Sequence, residues 1–274
     1  MARLYLLSPA LVLTATLLVA FGVYCVRRPN VANVKHNQLF GPFLAGFLVW
    51  LLRPIERALV GHVSPNAITF VSLALCAVTG LAAAEGYLGD AVWLYSIAGV
   101  LDVLDGRVAR LQGKQTATGA LLDSVSDRWG ELFVFAGFAW YLHDSPWLLA
   151  VMGAVAGSTM VSYTRARAEG LGLTLSGGLM QRAERIVLVA GGTFIAAWYE
   201  CGDPNGESPF IVPVLGGTMM LCGALSTATA IHRWVVAHRE LAQREAAPAV
   251  EAVPVRAAIA IPARPRKPRP LEQH

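Results

Sequence analysis

Four carboxylates sit within otherwise membrane-grade hydrocarbon in the stretch from Leu101 to Asp127, and that placement limits the possible folds more sharply than any other part of the chain. Asp102 and Asp105 are three apart, and Asp123 and Asp127 four apart, so on helices each pair occupies one face, one turn above the other. Two helices can then aim their acids at a common point. An ionised carboxylate at membrane depth costs at least ~2.5 kcal/mol on insertion scales, and crowded acids also repel, so a counter-charge is required. A cluster of carboxylate oxygens suits hard cations such as Mg²⁺ or Mn²⁺, and two such ions roughly 3.5 to 4 Å apart are the usual arrangement for phosphoryl displacement. Gly106 and Ala109 leave space beside the acids for a ligand or a second backbone, and Arg110 adds a cation suited to phosphate oxygens.

Composition agrees with a membrane setting. The 274 residues are 55% hydrophobic and 15% charged, too apolar for an ordinary soluble domain, and point to an all-α, polytopic membrane bundle. The net charge of +4 is small and its cations lie in short clusters beside apolar runs, which argues for topology and phosphate binding and against a nucleic-acid partner. Cys25, Cys76, Cys201 and Cys222 show neither zinc nor disulfide spacing and read as packing residues.

In chain order, residues 4–26 form an uncharged run long enough to cross ~30 Å of hydrocarbon, followed by Arg27 and Arg28. This is read as an additional N-terminal span (1–35) and not as a cleaved signal peptide, because no small-x-small site follows it. Residues 36–62 mix aromatic and charged side chains around two prolines, which suits an amphipathic helix on the membrane surface. Ser64-Pro65 marks a helix start, with Ser as cap and Pro in the first turn, opening the first of six core spans in a domain over 63–240. The spans are expected near 64–84, 91–111, 119–142, 147–165, from Met180–Arg185 onward, and 211–236. Arg128 and Glu131, three apart, are read as a supporting ion pair. Residues 241–274, rich in Ala, Pro and Arg, read as a disordered cytoplasmic tail with possible contact to membrane lipid.

Under this six-span count Arg53, Arg57, Arg107, Arg110, Lys114, Arg165, Arg167, Arg182, Arg185, Arg233 and Arg239 fall on one side. The opposite links hold Glu85, Asp90, Asp144, Glu200, Asp203 and Glu207 without a single Lys or Arg. By the positive-inside rule the acidic cluster faces the cytoplasm, as in a bacterial inner membrane.

The pattern Asp102-x2-Asp105-Gly106-x2-Ala109-Arg110-x8-Gly119-x3-Asp123-x3-Asp127 resembles the signature of the CDP-alcohol phosphotransferases, membrane enzymes of phospholipid synthesis. The resemblance implies transfer of a phosphatidyl group from CDP-diacylglycerol to a small polar alcohol, with release of CMP. It implies that Asp102, Asp105 and Asp123 ligate divalent metal, with Asp127 as general base or a shared ligand. Gly106, Ala109 and Gly119 would border the nucleotide with Asp105 and Asp123, and Arg110 would sit near phosphate. Asn66 and Thr69 match a Pro-Asn-x-x-Thr that helps hold the nucleotide in that family, although a plain helix cap explains them equally. Homodimers are common in the family, and Gly153, Gly157, Gly191 and Gly192 suit close helix contact between or within subunits.

Arg165, Arg182, Arg185 and Arg233 suit an acceptor that itself bears phosphate, with membrane topology as the plainer account of the same cations. The segments Ser162–Glu169 and Gln181–Arg185, with Arg233, are similar to the family's prokaryotic inositol-phosphate branch, which implies inositol 1-phosphate as acceptor. Glycerol 3-phosphate would use similar arginines. A transporter or inactive scaffold is the reading from another class, but transporters place polar residues near the bilayer midplane and often carry an internal repeat, and neither is present here.

Overall fold

Helix boundaries in the computed structural model follow the apolar runs and their caps. The structure describes residues 16, 18–27, 41–175, 177–203 and 208–246, and every regular element among them is helical. The helices are α1 (Leu18–Arg27), α2 (Gly41–Leu59), α3 (Pro65–Ala84), α4 (Leu88–Leu111), α5 (Ala117–Tyr141), α6 (Leu148–Gly170), α7 (Arg182–Gly202) and α8 (Ile211–Ala246). Of the expected N-terminal span only Thr16 and α1 fall within the described residues, and residues 247–274 of the expected tail lie outside them.

Local chemistry sets the ends that matter for the site. Ser64 Oγ accepts from Ala67 N at 3.3 Å with Pro65 in the first turn, as the sequence predicts, and this fixes where α3 begins. The α4–α5 link is built by complementary caps. Gly113, at φ 63°, lets Lys114 N reach Ala109 O (3.0 Å) and its own N reach Arg110 O (3.2 Å), a Schellman closure of α4. Three residues on, Thr116 Oγ1 accepts from Gly119 N at 3.0 Å and opens α5. The two acid-bearing helices are thereby joined by a short link capped at both ends.

α3 packs on both α4 and α5, α4 on α7, α5 on α6, and α2 on α4. The α3–α5 crossing is close because Gly80 and Gly137 meet backbone to backbone: a Cβ on either would run into the other helix's main chain, Phe133 O or Gly80 O. At the other end of the bundle from the acids, Leu88, Phe135, Phe138, Leu142, Val151, Leu215 and Met219 form a buried apolar core. Gly157 and Gly192 are occupied within the chain, against Gly223–Thr227 and Thr218, whereas an added Cβ at Gly153 or Gly191 would meet nothing within 4 Å.

α3 and α8 each hold a stretch long and apolar enough to cross a membrane. The other bundle helices are diluted by the acids, arginines and small residues that build the site. α8 continues to Ala246, past the ends expected at Val236 and residue 240, because Leu241, Ala242, Gln243 and Arg244 favour helix. From His238 on, the described residues belong to a unit of their own, and within it Arg244 pairs with Glu240 at 2.8 Å, one turn apart.

Candidate active site

Asp102, in the last turns of α4, meets Asp123 and Asp127, in the first turns of α5. One carboxylate oxygen from each lies within 4.8 Å of the others. This convergence follows from the i, i+4 spacing on α5 and the tight reversal between the two helices. Asp105 stands apart from that threesome. It is buried, and its Oδ2 accepts from Thr69 Oγ1 at 2.7 Å, so α3 orients the second acid of α4.

The acids line a cavity of about 800 Å³. Its lining includes Phe47, Leu48 and Val49 of α2, Gly106, Arg107 and Arg110 of α4, Arg165 and Glu169 of α6, Gln181, Arg182 and Arg185 at the start of α7, and Arg233 of α8. All four arginines singled out in the sequence are therefore brought to one space. Thr69, Ala109 and Gly119 are not among the lining residues, and Asn66 is exposed, with its Oδ1 3.7 Å from where a Cβ on Gly119 would lie.

The four arginines differ in what they already hold. The Arg182 guanidinium bonds both Asp102 and Asp127, so one cation lies between acids from two helices. Arg185 is 2% exposed and reaches Glu131 Oε1 from Nε at 2.8 Å and from Nη2 at 2.6 Å, with Nη1 on Met180 O at 3.1 Å. Arg233 donates to Gly177 O (2.8 and 3.0 Å) and to Val161 O (3.0 Å), bracing the α6–α7 link against α8. Met180 N adds to that brace by donating to Thr229 Oγ1 at 3.1 Å. Arg165 is half exposed and pairs with Glu169 at 2.8 Å on the same helix.

The expected Arg128–Glu131 pair does not form. Glu131 lies one turn beyond Asp127 on the inward face of α5 and takes Arg185, 54 positions along the chain. Arg128, a third of a turn round the helix, stays near Asp127 Oδ2 (3.5 Å) and donates to Ser124 O at 2.5 Å. Sequence reasoning also passed over the α2 wall, because nothing in an amphipathic segment says which neighbour its apolar face will meet. Arg107, counted only as a topology signal, lines the cavity as well.

Clustered carboxylates and several arginines lining one cavity of an all-helical bundle suit a phosphate ester together with a hard divalent cation. Residues 62–229 match the model of the CDP-alcohol phosphatidyltransferase family, and the chain belongs to that family and is a transferase. A phosphatidylinositol phosphate synthase of Mycobacteroides abscessus is 33% identical over 173 residues, covering 60% of this chain and 77% of the relative. The enzyme of the same name from Streptomyces avermitilis is 31% identical over 232 residues, covering 81% and 91%. Among solved structures, Mycobacterium tuberculosis phosphatidylinositol phosphate synthase with CDP-DAG bound superposes with a TM-score of 0.59 at 28% identity, over 69% of this chain and 94% of that one. The same enzyme in complex with manganese and citrate gives 0.59 at 29% identity, over 68% and 88%.

Proposed function

We propose that this chain transfers the phosphatidyl group of CDP-diacylglycerol to a hydroxyl of inositol 1-phosphate, releasing CMP. The observation that carries the reading is that the clustered acids share one cavity with Arg165, Arg182, Arg185 and Arg233. The relatives named phosphatidylinositol phosphate synthase, and the CDP-DAG-bound structure among them, support the same substrates.

The donor set fits divalent metal: three carboxylate oxygens within 4.8 Å of one another, all hard ligands, suit Mg²⁺ or Mn²⁺. A relative's complex with manganese points the same way. Asp102 and Asp123 would hold the metal, with Asp105 and Asp127 as further ligands for a pair of ions. Bound there, the metal supplies charge neutralisation for the diphosphate and for the leaving phosphate oxygen.

The chain's own groups do the rest. Asp127 takes the proton from the acceptor hydroxyl, whose oxygen attacks the phosphorus bearing the diacylglycerol. The new phosphorus–oxygen bond forms as the diphosphate bridge breaks, and CMP departs with the bridging oxygen. Gly106 and Arg110 border the nucleotide side of the cavity. Thr69 acts there through Asp105, which it orients. Asn66, Ala109 and Gly119 support the helix ends behind that side. The arginines of α6, α7 and α8 receive the acceptor's phosphate, for which a planar guanidinium fork is suited.

In this reading residues 63–240 are the catalytic domain, α3 to α8 are its six spans, α2 lies along the membrane surface, and residues 1–35 add a further span. The cytoplasmic side is the one carrying the arginines. A homodimer is part of the proposal, with Gly153 and Gly191 as the small positions left open for a second copy.

Purified protein with Mg²⁺ and CDP-diacylglycerol, offered inositol 1-phosphate, glycerol 3-phosphate, inositol and serine in turn, is expected to release CMP with inositol 1-phosphate alone. Release with glycerol 3-phosphate alone would reassign the acceptor. Release with inositol or serine would remove the role given to the arginines.

A further inference from the structure

One ion pair joins α2 to the helix that carries the first two acids, and the reaction scheme above makes no use of it. Glu56 is only 3% exposed, and the Arg107 side chain that meets it is 11% exposed. The contact is two-pronged: Arg107 Nε bonds Oε1, and Nη2 lies 3.3 Å from Oε2. A fork-to-fork contact fixes relative orientation as well as distance.

The position of this pair gives it a consequence beyond packing. Arg107 is two residues past Asp105 and lines the cavity, and Phe47, Leu48 and Val49, about two turns earlier on α2, form the apolar wall of the same cavity. Val49, Leu52 and Glu56 are spaced three and four apart, are all buried, and make up one inward face of α2. α1 grips the first half of α2. Phe21 and Tyr24 pack against Phe43 and Phe47 with ring centroids 5.2 to 6.0 Å apart, and Tyr24 lies 5.7 Å from Trp50. The Tyr24 hydroxyl occupies the space over Gly46 where a larger residue would place its Cβ. α2 is thus an apolar slab held by α1 at one end and by Glu56 at the other, lining the same cavity as the acids.

We infer that Glu56 is a positioning residue: its pair with Arg107 sets the apolar wall of α2 beside the acids, and that wall seats the lipid portion of the nucleotide substrate. The inference rests on the lipid-nucleotide reading given above. Losing Glu56 leaves the Arg107 charge buried without its partner and releases that end of α2 from α4. The lipid substrate should suffer and the phosphate-bearing acceptor should not, because the pair joins α2 to α4, whereas the arginines given to the acceptor belong to α6, α7 and α8.

The test uses the full chain in mixed micelles. Glu56→Gln, Arg107→Gln and the reversed pair Glu56→Arg with Arg107→Glu are each assayed for KM of both substrates. The same proteins are titrated with CDP-diacylglycerol alone, followed by thermal shift. Either single substitution is expected to raise the KM for CDP-diacylglycerol about tenfold while that for inositol 1-phosphate changes less than about twofold, and the reversed pair is expected to recover most of the loss. The thermal shift given by CDP-diacylglycerol should fall and recover in parallel. An unchanged lipid KM, a rise confined to the acceptor, or a reversed pair no better than the single variants overturns the inference. Wild-type protein that binds CDP-diacylglycerol but transfers to no acceptor overturns the parent reading, and the binding titration still decides the case for Glu56.

Discussion

Asp127→Asn is expected to lower lipid synthesis by about 10² to 10⁴-fold, the usual worth of a positioned general base, while CDP-diacylglycerol still binds. Asn has the shape of Asp and keeps one carbonyl oxygen for the cluster, but it cannot accept the acceptor's proton. The position suits that role. Asp127 Oδ1 bonds Arg182, and the side chain shares the oxygen cluster with Asp102 and Asp123 and lines the same cavity as Gly106, Arg110 and the arginines of α6, α7 and α8. Rates of CMP release, set beside CDP-diacylglycerol binding in the same preparation, check it. Near-normal turnover would end the base assignment, and loss of nucleotide binding together with turnover would make Asp127 chiefly a ligand.

Glu131→Ala is expected to destabilise the protein by about 3 to 5 kcal/mol, as breaking one side of a buried ion pair does. Arg185 keeps its bond to Met180 O, but its charge would be left in the interior without a carboxylate. The double substitution Glu131→Leu with Arg185→Met removes both charges and should recover most of that stability. Thermal unfolding in detergent reads both effects. The double variant also separates two duties of Arg185, holding α7 against α5 and facing the acceptor's phosphate. A stable protein with a raised KM for inositol 1-phosphate is expected, and unaltered kinetics would assign Arg185 to structure alone.

The sequence exposed what local periodicity and end chemistry control. Ser64-Pro65 placed the start of α3, the run from Leu101 to Asp127 placed two helix ends and their acids, and the core helices begin within a few residues of the apolar runs, while α6 and α8 continue past their expected ends. It did not expose partners chosen by helix rotation and long-range packing. Glu131 has an arginine three residues away, yet it faces inward and takes Arg185. Glu56 finds Arg107 across 51 positions, and Arg233 donates to the carbonyls of Gly177 and Val161, neither of which a side-chain pattern can reveal. Thr69 was legible as part of a motif, but its bond to Asp105 requires the α3–α4 crossing. Membership of the family was carried by spacing alone, because the carboxylate pattern lies within a single pair of adjacent helices.

The claim on which the account turns is that acids of α4 and α5 share divalent metal. Titration of the purified chain with Mn²⁺, followed by the loss of the free-ion electron paramagnetic resonance signal, measures this without turnover. About two ions per chain are expected for the wild type, with at least one lost in Asp102→Asn and in Asp123→Asn. Undiminished Mn²⁺ binding in both variants would contradict it.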